Sequence, residues 1–471
     1  MSAPETPSAP ANGQPQPHLT RRFGLFQAVA LNMTNMIGMG PFITIPALMS
    51  TINGGGPQCM LGWIVGLLIV IPDSLIWAEL GAAIPASGAS YKWLREGYGH
   101  EKWGRLMAFL FIWQFIISGP MEIGSGLIGL RLYLGFFLKT ESLWVMNTCI
   151  VVLGFLMLWL LYRRIGSIGR ITVWLWAGTM ATVAVVILSG IGHFDPKVAF
   201  SFPEHAFKFS PGFVMGLGAA ATISIYDYLG YYDVCYLGDE VREPGRVIPR
   251  SILLSVVSVA LIYMAMNLSI IGVVPWRSFV PAGDTGAPIA SWFMERIWGS
   301  KIAWAFTAMI VWTAFGSVFT LALGYSRVPY AAARDGCFFS VFGKLHPTRE
   351  FPHLSVLLIV VLSIAFSFAD LTTLINMLIA MRILVQFIGQ IGAVMLLRKT
   401  RPDMPRPFRV WLYPLPAFLA LAGWLFLFAT SGKATIIGAL TAMGTGLIGF
   451  LIWAQMNRYW PFAIAPEPQN E

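Results

Sequence analysis

The residues Asn-Met-Ile-Gly-Met-Gly-Pro-Phe at positions 35–42 interrupt the first long apolar segment of this chain, which runs from Phe23 to Ile52. Each of the two glycines weakens a helix by about 1 kcal/mol relative to alanine. Pro41 lacks an amide hydrogen and clashes with the carbonyl group of Ile37. Within hydrocarbon an unpaired backbone group costs several kcal/mol, so a break is tolerated only where it is buried in protein or lines a wet cavity. The sequence predicts such a place at this break.

The composition is typical of a membrane protein. Of the 471 residues, 56% are hydrophobic and only 11% are charged, whereas soluble proteins carry about 25% charged residues. The net charge of +9 comes from basic residues dispersed over short loops, which argues against a nucleic-acid-binding patch. The four cysteines lie far apart and lack metal-ligand spacing, so we interpret them as buried apolar side chains. No cofactor is expected beyond a coupling ion.

Segment lengths predict an all-α integral membrane protein. A spanning helix needs about 20 mostly apolar residues, and no loop is long enough to form a soluble domain. Residues 1–20 are rich in Pro, Ala and Gln and are predicted to be a disordered tail without a signal peptide. Twelve transmembrane helices are predicted, at residues 24–52, 58–83, 104–138, 143–162, 170–192, 211–237, 247–274, 302–332, 354–369, 371–397, 411–430 and 435–458.

The distribution of lysine and arginine predicts the orientation. With the N-terminus inside, the cytoplasmic stretches hold 21 basic residues and the opposite loops hold 8, while Arg327 and Arg382 lie within predicted helices. Cytoplasmic loops are enriched in basic residues, so we expect both termini in the cytoplasm and the chain in the plasma (inner) membrane. Glu79, near the inner surface, is expected to pair with loop arginines.

A second interruption occurs five segments later, where residues 225–233 read Ile-Tyr-Asp-Tyr-Leu-Gly-Tyr-Tyr-Asp. An aspartate inside a membrane helix costs roughly 3 kcal/mol on insertion scales, so two of them need a wet, protein-lined surrounding. Segments one and six cross in opposite directions and are broken at similar depth, which favours an inverted five-helix repeat around a transport site. Asp227 is either a ligand or the partner of a buried donor such as Asn35 or a tyrosine hydroxyl. Asp233 is interpreted as structural or gating, with a role in proton coupling as its alternative.

Five short patterns carry a resemblance to a known family. In their order and spacing they resemble the amino acid–polyamine–organocation (APC) transporter superfamily over roughly residues 25–415. The patterns are Ile37-Gly-Met-Gly-Pro-Phe42, Glu79-Leu80 with Pro85-Ala-Ser-Gly-Ala-Ser-Tyr91, Gly238-Asp-Glu-Val-Arg-Glu-Pro-Gly-Arg-Val-Ile-Pro-Arg250, Ser326-Arg-Val328 with Ala333-Arg-Asp-Gly336, and Arg406-Pro-Phe-Arg409.

The resemblance implies a specific architecture. We expect a LeuT-type five-plus-five inverted repeat, with helices one and six broken and two accessory helices added. On this basis the transport core would occupy residues 21–400, the accessory helices residues 401–460, and a C-terminal tail residues 461–471.

The resemblance also implies a substrate site at the two breaks. In such proteins the backbone amides of the first break bind the substrate carboxylate, which agrees with the preference of a helix start for anions. Carbonyl groups of helix six would hold the amino group, and an aromatic side chain there often closes over the substrate. Carried over to this chain, the amides belong to Ile37, Gly38, Met39 and Gly40, the carbonyl groups to Ser224, Ile225 and Asp227, and the aromatic gate to Tyr226 or Tyr228.

The coupling ion stays open between a proton and sodium, with exchange as a third alternative. Proton-driven relatives often carry a lysine in helix five, but residues 171–191 contain no charged side chain. Sodium-coupled relatives use hydroxyl groups of helix eight, where Ser317 and Thr320 lie, although such hydroxyls usually bond to their own helix. Relatives with a disulfide-linked glycoprotein subunit use a cysteine after helix three. The loop at 139–142 has none, so no such heavy-chain partner is expected.

Two further acids within predicted helices are candidate proton carriers. Glu122 closely follows Pro120 in helix three, and its alternative role is to pair with Arg382. Asp73, which follows Pro72 in helix two, is the other.

Two other functions compete with amino acid transport. A polyamine or cationic amine is an alternative substrate of the same fold, since Asp227 and Asp233 would supply negative charge. A multipass membrane enzyme would need clustered His, Cys or carboxylate groups, but all six histidines fall outside the predicted helices. The leading prediction is a secondary active transporter that moves amino acids by alternating access, with a small-molecule substrate and the lipid bilayer as its partners.

Overall fold

The computed structural model describes residues 21, 23–86, 88–140, 142–162, 168–280, 288–347 and 351–462. These residues form helices and turns, with one isolated β-bridge between Phe23 and Val241. The tail predicted at residues 1–20, and most of the one predicted at 461–471, lie outside the described residues.

The first half of the described chain forms the helices α1 (Leu25–Met36), α2 (Gly40–Met49), α3 (Leu61–Ala83), α4 (Ser90–Gly97), α5 (Trp103–Leu138), α6 (Leu143–Leu161), α7 (Ile168–Ile191), α8 (Pro196–Ala199), α9 (Pro211–Tyr228) and α10 (Asp233–Tyr236). The second half forms α11 (Pro244–Ile271), α12 (Ile289–Trp298), α13 (Ser300–Tyr325), α14 (Arg327–Arg334), α15 (His353–Phe366), α16 (Leu371–Arg382), α17 (Ile388–Thr400), α18 (Leu415–Thr430) and α19 (Lys433–Met456). Short 3₁₀ turns lie at Pro57–Met60, Gly238–Glu240, Trp276–Ser278 and Ser340–Gly343, and a π-helical turn at Ile383–Phe387 joins α16 to α17.

The protein is a multi-pass membrane protein. Eight helical segments of the described chain are long and apolar enough to cross a membrane, and the pair α1 and α2, bent by 43° between them, makes a ninth. Helices α15 and α18 are apolar but shorter, at 14 and 16 residues. The eight segments are Pro57–Ala83, Trp103–Leu138, Leu143–Leu161, Val173–Ile191, Pro244–Ile271, Ser300–Arg334, Leu371–Thr400 and Lys433–Met456.

Besides the first segment, with its helices α1 and α2, two more predicted segments are each divided into two helices. The segment predicted at 211–237 is interrupted between Tyr228 and Asp233, where α9 ends and α10 begins. The segment predicted at 302–332 is divided at Ser326 into α13 and α14. A further helix, α12, lies in what the sequence predicts as a loop, because its ten residues are too few to register as a membrane span.

The predicted separation of the ninth and tenth segments at Asp370 is confirmed. Asp370 caps α16, since its Oδ2 accepts a hydrogen bond of 2.8 Å from the amide of Thr373. Several boundaries differ from the prediction by a few residues, and two of them are notable. Helix α15 includes His353, and the segment predicted at 411–430 starts only at Leu415, with Pro416 in the first turn, where proline fits a helix start.

Burial separates inner from outer helices. Trp144 on α6 and Trp174 on α7 are 77% and 76% exposed, as expected of side chains that face lipid. Asp73 and Glu122, in contrast, are buried among helices. The last two helices, α18 and α19, pack on the outside, α18 against α3 and α9, and α19 against α5 and α16.

One end of the helix bundle, which we call the terminal side, contains the start of α1 and the loops around residues 84–86, 98–102, 237–243 and 401–414. The amide of Phe23 donates to the carbonyl of Glu240 at 3.0 Å. Here the predicted pairing of Glu79 with loop arginines is confirmed.

Glu79 joins α3 to the loop before α18. Arg398 forms a two-pronged pair with its carboxylate, Arg406 Nε lies 3.6 Å from Oε1, and the amide of Val410 donates to Oε2 at 2.7 Å. On the same side, Tyr91 donates to the carboxylate of Asp335. Burial and this carboxylate raise the pKa of the Tyr91 hydroxyl, so it stays protonated as the donor.

Candidate substrate site

The break in helix one is where the sequence predicts it. Helix α1 ends at Met36 and α2 begins at Gly40, and the amide of Ile37 still donates to Met33 at 2.8 Å. Within the described part of the chain, the next three amides, those of Gly38, Met39 and Gly40, donate to no protein acceptor. All three residues are buried. A row of buried free amides at the start of a helix is a setting suited to an anion.

Both glycines of the break allow a neighbouring side chain to lie close to the backbone. A Cβ atom at Gly38 would lie 2.3 Å from Ser317 Oγ, and one at Gly40 would lie 2.1 Å from Asp227 Oδ1. Two of the side chains predicted for the site, Ser317 from α13 and Asp227 from α9, therefore lie directly against the backbone of the first break.

The break in helix six lies against the first break. The chain leaves the helical path at residues 229–232, and Gly230 has a φ of +106°, which favours glycine. A Cβ at Gly230 would lie 3.0 Å from Asn35 Cβ and 3.1 Å from Met36 N. The two interruptions are thus in direct contact.

The second break begins later than the residues predicted to supply carbonyl groups. Ser224, Ile225, Tyr226, Asp227 and Tyr228 all lie in the last turns of α9. The Ser224 hydroxyl donates to Ala220 O of its own helix at 2.9 Å. The helix persists because this stretch contains neither proline nor glycine, and Gly230 is the first residue to permit the turn.

Two residues that the sequence analysis missed hold the breaks together. Asn32 on α1 donates through Nδ2 to Tyr231 O at 2.8 Å and accepts from the amide of Val234 at 3.0 Å. The Tyr263 hydroxyl on α11 lies 2.6 Å from Met36 O and 2.8 Å from Asp227 O, the last turns of α1 and α9. An asparagine in an apolar helix is a usable signal for such a role, whereas nothing marks Tyr263 among fourteen tyrosines.

Asp227 has one partner and one free oxygen. Its Oδ2 accepts a hydrogen bond of 2.6 Å from Thr44 on α2. Its Oδ1, buried in a side chain only 2% exposed, has no partner in the described part of the chain. The alternative that Asn35 serves Asp227 is wrong, because Asn35 Nδ2 bonds Asp233 Oδ2 at 2.6 Å.

The two candidate gate tyrosines face different surroundings. Tyr226 shares a hydrogen bond of 2.6 Å with Ser125 on α5. Tyr228 packs its ring edge-on against Trp63 of α3, with centroids 5.6 Å apart, and beside Tyr263. Tyr226 therefore faces α5 across the site, and Tyr228 is part of an aromatic cluster behind it.

Two of the candidate proton carriers, Glu122 and Asp73, are bonded to neighbouring side chains, whereas the third, Asp233, keeps a buried Oδ1 without a partner in the described part of the chain. Glu122 pairs with Arg382, whose Nη2 lies 2.6 Å from Oε2, as its alternative role predicts. Tyr325 also donates to this oxygen at 2.7 Å. Asp73 accepts from the Tyr231 hydroxyl and, at 2.9 Å, from the indole of Trp424.

The two candidate sodium ligands, Ser317 and Thr320, differ in what their side chains contact. The Thr320 hydroxyl donates to Gly316 O of its own helix at 2.8 Å. Ser317 instead lies against Gly38. The structure therefore brings Ser317, and not the hydroxyl of Thr320, to the broken backbone.

Cavities lie on both sides of the breaks. A cavity of about 880 Å³ on the side opposite the terminal side reaches inward to Ile43 and Gly129. A Cβ at Gly129 would lie 2.4 Å from Met39 Cγ, so this cavity ends beside the first break. On the terminal side a cavity of about 30 Å³, enough for one or two waters, is lined in part by Asn35, Asp233 and Arg327.

Metal-ligating groups do not cluster in the part of the chain that the structure describes. The four cysteines are free thiols, three of them buried, which agrees with their interpretation as apolar side chains.

Comparison with known proteins places this architecture in a family. The sequence model of the family described as amino acid permease matches residues 23–454. A serine/threonine exchanger of Bacillus subtilis is 24% identical over 448 residues, which cover 93% of this chain and 98% of the exchanger. A branched-chain amino acid permease of the same organism is 23% identical over 93% of this chain and 94% of its own. The human large neutral amino acids transporter small subunit 2 is 25% identical over 91% of this chain and 79% of its own. The chain therefore belongs to the amino acid permease family, in agreement with the resemblance of its motifs to the APC superfamily.

Proposed function

We propose that this protein is a secondary active transporter that carries small zwitterionic amino acids past the two helix breaks by alternating access. The observation that carries the proposal is the row of buried free amides at Gly38, Met39 and Gly40. They precede α2, whose positive end favours an anion. A substrate carboxylate is the anion that suits these three amides. The amide of Ile37, expected as a fourth, is not free, because it donates to Met33 O at 2.8 Å.

The amino group of the substrate would be held at the end of α9. The last four carbonyl groups of a helix end its hydrogen-bond ladder, and here they belong to residues 225–228. The amide of Leu229, which caps the helix, donates to Ile225 O at 3.0 Å and to Tyr226 O at 3.2 Å, so each of these oxygens has one lone pair left. Ile225 and Asp227 are among them, whereas Ser224 lies one residue earlier. A carbonyl oxygen has two lone pairs, so the bond from Tyr263 to Asp227 O leaves room for an ammonium donor. Tyr226, between α9 and α5, would close over the bound substrate.

The finer architecture is part of the proposal. We infer twelve crossings, obtained by adding α9, α15 and α18 to the nine spans above. The two interrupted helices lie five crossings apart, run in opposite directions and touch at Gly230 and Asn35. This supports a LeuT-type five-plus-five repeat within residues 21–400, with α18 and α19 as accessory helices. The basic loop residues support cytoplasmic termini in the plasma membrane.

The substrate class follows from the amides and from the relatives. The relatives named above are, by description, an exchanger or transporters of serine, threonine, branched-chain and large neutral amino acids. A polyamine has no carboxylate for the free amides, so the polyamine alternative is not favoured, and membership of a permease family sets the enzyme alternative aside. No disulfide-linked partner is expected, since the loop at 139–142 has no cysteine.

Counterflow in proteoliposomes tests the proposal. Vesicles that contain the purified protein and unlabelled L-serine or L-leucine should accumulate the labelled amino acid, and empty vesicles should not. Excess unlabelled neutral amino acid should compete, and putrescine should not. If putrescine competes and neutral amino acids do not, the substrate is an amine and not an amino acid. If vesicles with the protein accumulate neither labelled serine nor labelled leucine, the proposal is rejected.

A further inference from the structure

The Asp227 carboxyl group sits at the start of α2. Its Oδ1 is so close to the first helical residue, Gly40, that a Cβ there would lie at 2.1 Å, and its Oδ2 accepts from Thr44 in the next turn. Helix α2 has ten residues, and the amides before it have no acceptor in the described part of the chain. An acidic side chain of the protein thus occupies the same positive helix end that would bind the substrate carboxylate.

No cation in the described part of the chain compensates this acid. Its contacts on neighbouring elements are neutral: Thr44 on α2 and the Tyr263 hydroxyl on α11, which meets its backbone oxygen. Tyr226 and Tyr228 flank it on α9. No ion pair involves it among the described residues, and its Oδ1 has no donor there.

Charged groups on the surrounding helices are already engaged elsewhere. Helices α2 and α18, which both pack against α9, contain no charged residue. On α3 the titratable and charged groups are Asp73, bonded to Tyr231 and Trp424, and Glu79, paired with Arg398. Arg382 on α16 pairs with Glu122 on α5. The other such groups of α5 are Arg105, which lies over the ring of Tyr459, Arg131, bonded to Asn147, and Tyr133, which donates to Phe42 O. Cys59 is a free thiol, and Arg246 and Arg250 lie in the first two turns of α11.

Two anions cannot share this helix end at low cost. A helix start carries roughly half a positive charge, and like charges at close range in a protected site repel strongly. A carboxylate from the substrate can therefore bind beside Asp227 only if the Asp227 carboxyl group is neutral. When the substrate leaves, the ionised side chain can take its place at the amides.

We propose that Asp227 binds one proton for each substrate carboxylate that enters the break, so that amino acid transport by this protein is coupled to protons. The proton comes from water on the side open to the substrate, resides on the free Oδ1, and returns to water on the other side when the substrate dissociates. The inference rests on the proposed function, because it takes the substrate carboxylate to lie at the amides of residues 38–40.

If Asp227 instead bound the substrate ammonium group, the substrate affinity would depend on pH in the opposite direction. If Asp227 paired with the substrate ammonium group, the ionised acid would favour binding, and affinity would fall on acidification. In the proton-coupled scheme only the protonated fraction can bind, so the apparent Kd equals the intrinsic Kd divided by that fraction. Affinity then falls with rising pH, by up to about tenfold per pH unit once Asp227 is ionised.

The experiment measures binding of labelled L-serine or L-leucine to the purified full-length protein between about pH 5 and pH 9, the range in which linked protons are read from affinity. Wild-type affinity should weaken toward high pH. Asp227→Asn mimics the neutral acid, so its affinity should be independent of pH and, at the alkaline end, at least about tenfold tighter than that of wild type. In proteoliposomes a pH gradient should drive accumulation by the wild type and not by Asp227→Asn. Glu243→Gln, at an exposed loop carboxylate, should follow the wild-type profile.

A second variant covers the case in which Asp227→Asn does not fold. Thr44→Val removes the donor to Oδ2, which stabilises the ionised form, so the loss of affinity should begin at a higher pH than in wild type. Wild-type affinity that does not depend on pH, or that improves at high pH, would overturn the proton step while leaving amino acid transport intact. Loss of binding in a folded Asp227→Asn protein would assign the residue to the ammonium group instead. A wild-type protein that binds and moves no amino acid would reject the proposed function, and the proton step with it.

Discussion

Arg382 and Glu122 form an ion pair in the middle of the helix bundle, with Nη2 of the arginine 2.6 Å from Oε2 of the glutamate. The arginine side chain is 1% exposed and the glutamate 8%. Arg382 also bonds Tyr232 at 3.1 Å on the second break and Ser118 at 3.2 Å on α5. It lies directly before the π-helical turn at Ile383–Phe387. One buried charge therefore ties α16, α5 and the break in helix six together.

Removing one member of this pair should destabilise the protein strongly. Arg382→Met leaves a buried carboxylate without its cation, which costs about 3–5 kcal/mol. We expect a large drop in the thermal unfolding temperature of the purified protein in detergent. The double variant Arg382→Met/Glu122→Met, in which neither charge is left, should recover part of the loss.

The matched control is the exposed pair of Arg246 and Glu243, at 76% and 73% exposure. Its removal should change stability by about 1 kcal/mol or less. Equal unfolding temperatures for wild type and Arg382→Met would show that the buried pair does not support the fold.

Gly38→Leu should abolish amino acid uptake without preventing membrane insertion. A Cβ at Gly38 would lie 2.3 Å from Ser317 Oγ and 3.1 Å from Ser317 Cβ, so a larger side chain displaces the backbone that presents the free amides. Uptake is measured in vesicles, and insertion by the amount of protein in washed membranes. Gly444→Leu is the control, because a Cβ at Gly444 meets nothing within 4 Å. Normal transport by Gly38→Leu would remove the first break from the site.

The smaller variant Gly38→Ala tests the cause of that loss. Its only side-chain obstacle is Ser317, so the double variant Gly38→Ala/Ser317→Gly should transport better than Gly38→Ala alone. Failure of this rescue would mean that the amide geometry itself, rather than the contact with Ser317, rejects a side chain at residue 38.

The first break was predictable and the second only in part. Two glycines and Pro41 within four residues leave few helical alternatives, and the structure breaks there. Gly230 permits a turn after α9, but a glycine alone does not end a membrane helix, and the packing of Gly230 against Asn35 and Met36 places the end here. That contact joins residues almost 200 positions apart, so no local pattern shows it.

The hydrogen-bond and ion-pair partners of side chains were also predictable only in part. The sequence identified Glu122 as a candidate partner of Arg382, because two opposite charges inside membrane helices must compensate each other. It also named Asn35 as a candidate donor to Asp227, whereas Asn35 donates to Asp233 in the structure. Which aspartate Asn35 meets depends on the rotation of α10 relative to α1, which tertiary packing sets.

Glu79→Ala should release the loop that joins α17 to α18. The Glu79 carboxylate holds Arg398, Arg406 and the amide of Val410. Without it, the Arg398 guanidinium and the buried amide of Val410 lose their acceptor, at about 1–3 kcal/mol for each unsatisfied group, whereas Arg406 keeps backbone carbonyl acceptors such as Leu397 O. We expect faster tryptic cleavage after Arg409 and a lower unfolding temperature. Glu243→Ala, at an exposed carboxylate, should show neither effect, and an unchanged cleavage rate in Glu79→Ala would contradict the anchoring role.

Gly40→Ala should impair substrate binding through Asp227. The added Cβ would meet Asp227 Oδ1 at 2.1 Å and Cγ at 3.0 Å, while the next atom, Tyr226 Cε1, lies at an ordinary 3.5 Å. The carboxyl group is therefore the only obstacle, and the effects of Gly40→Ala and Asp227→Ala should not add. A double-mutant cycle on the apparent Kd measures this, since residues in contact show coupling of about 0.5–3 kcal/mol. We expect the double variant to bind better than Gly40→Ala alone, because deleting the side chain frees the space that the methyl group needs. Purely additive effects would mean that Gly40 serves the substrate directly, and that the nearness of Asp227 to the start of α2 has no part in binding.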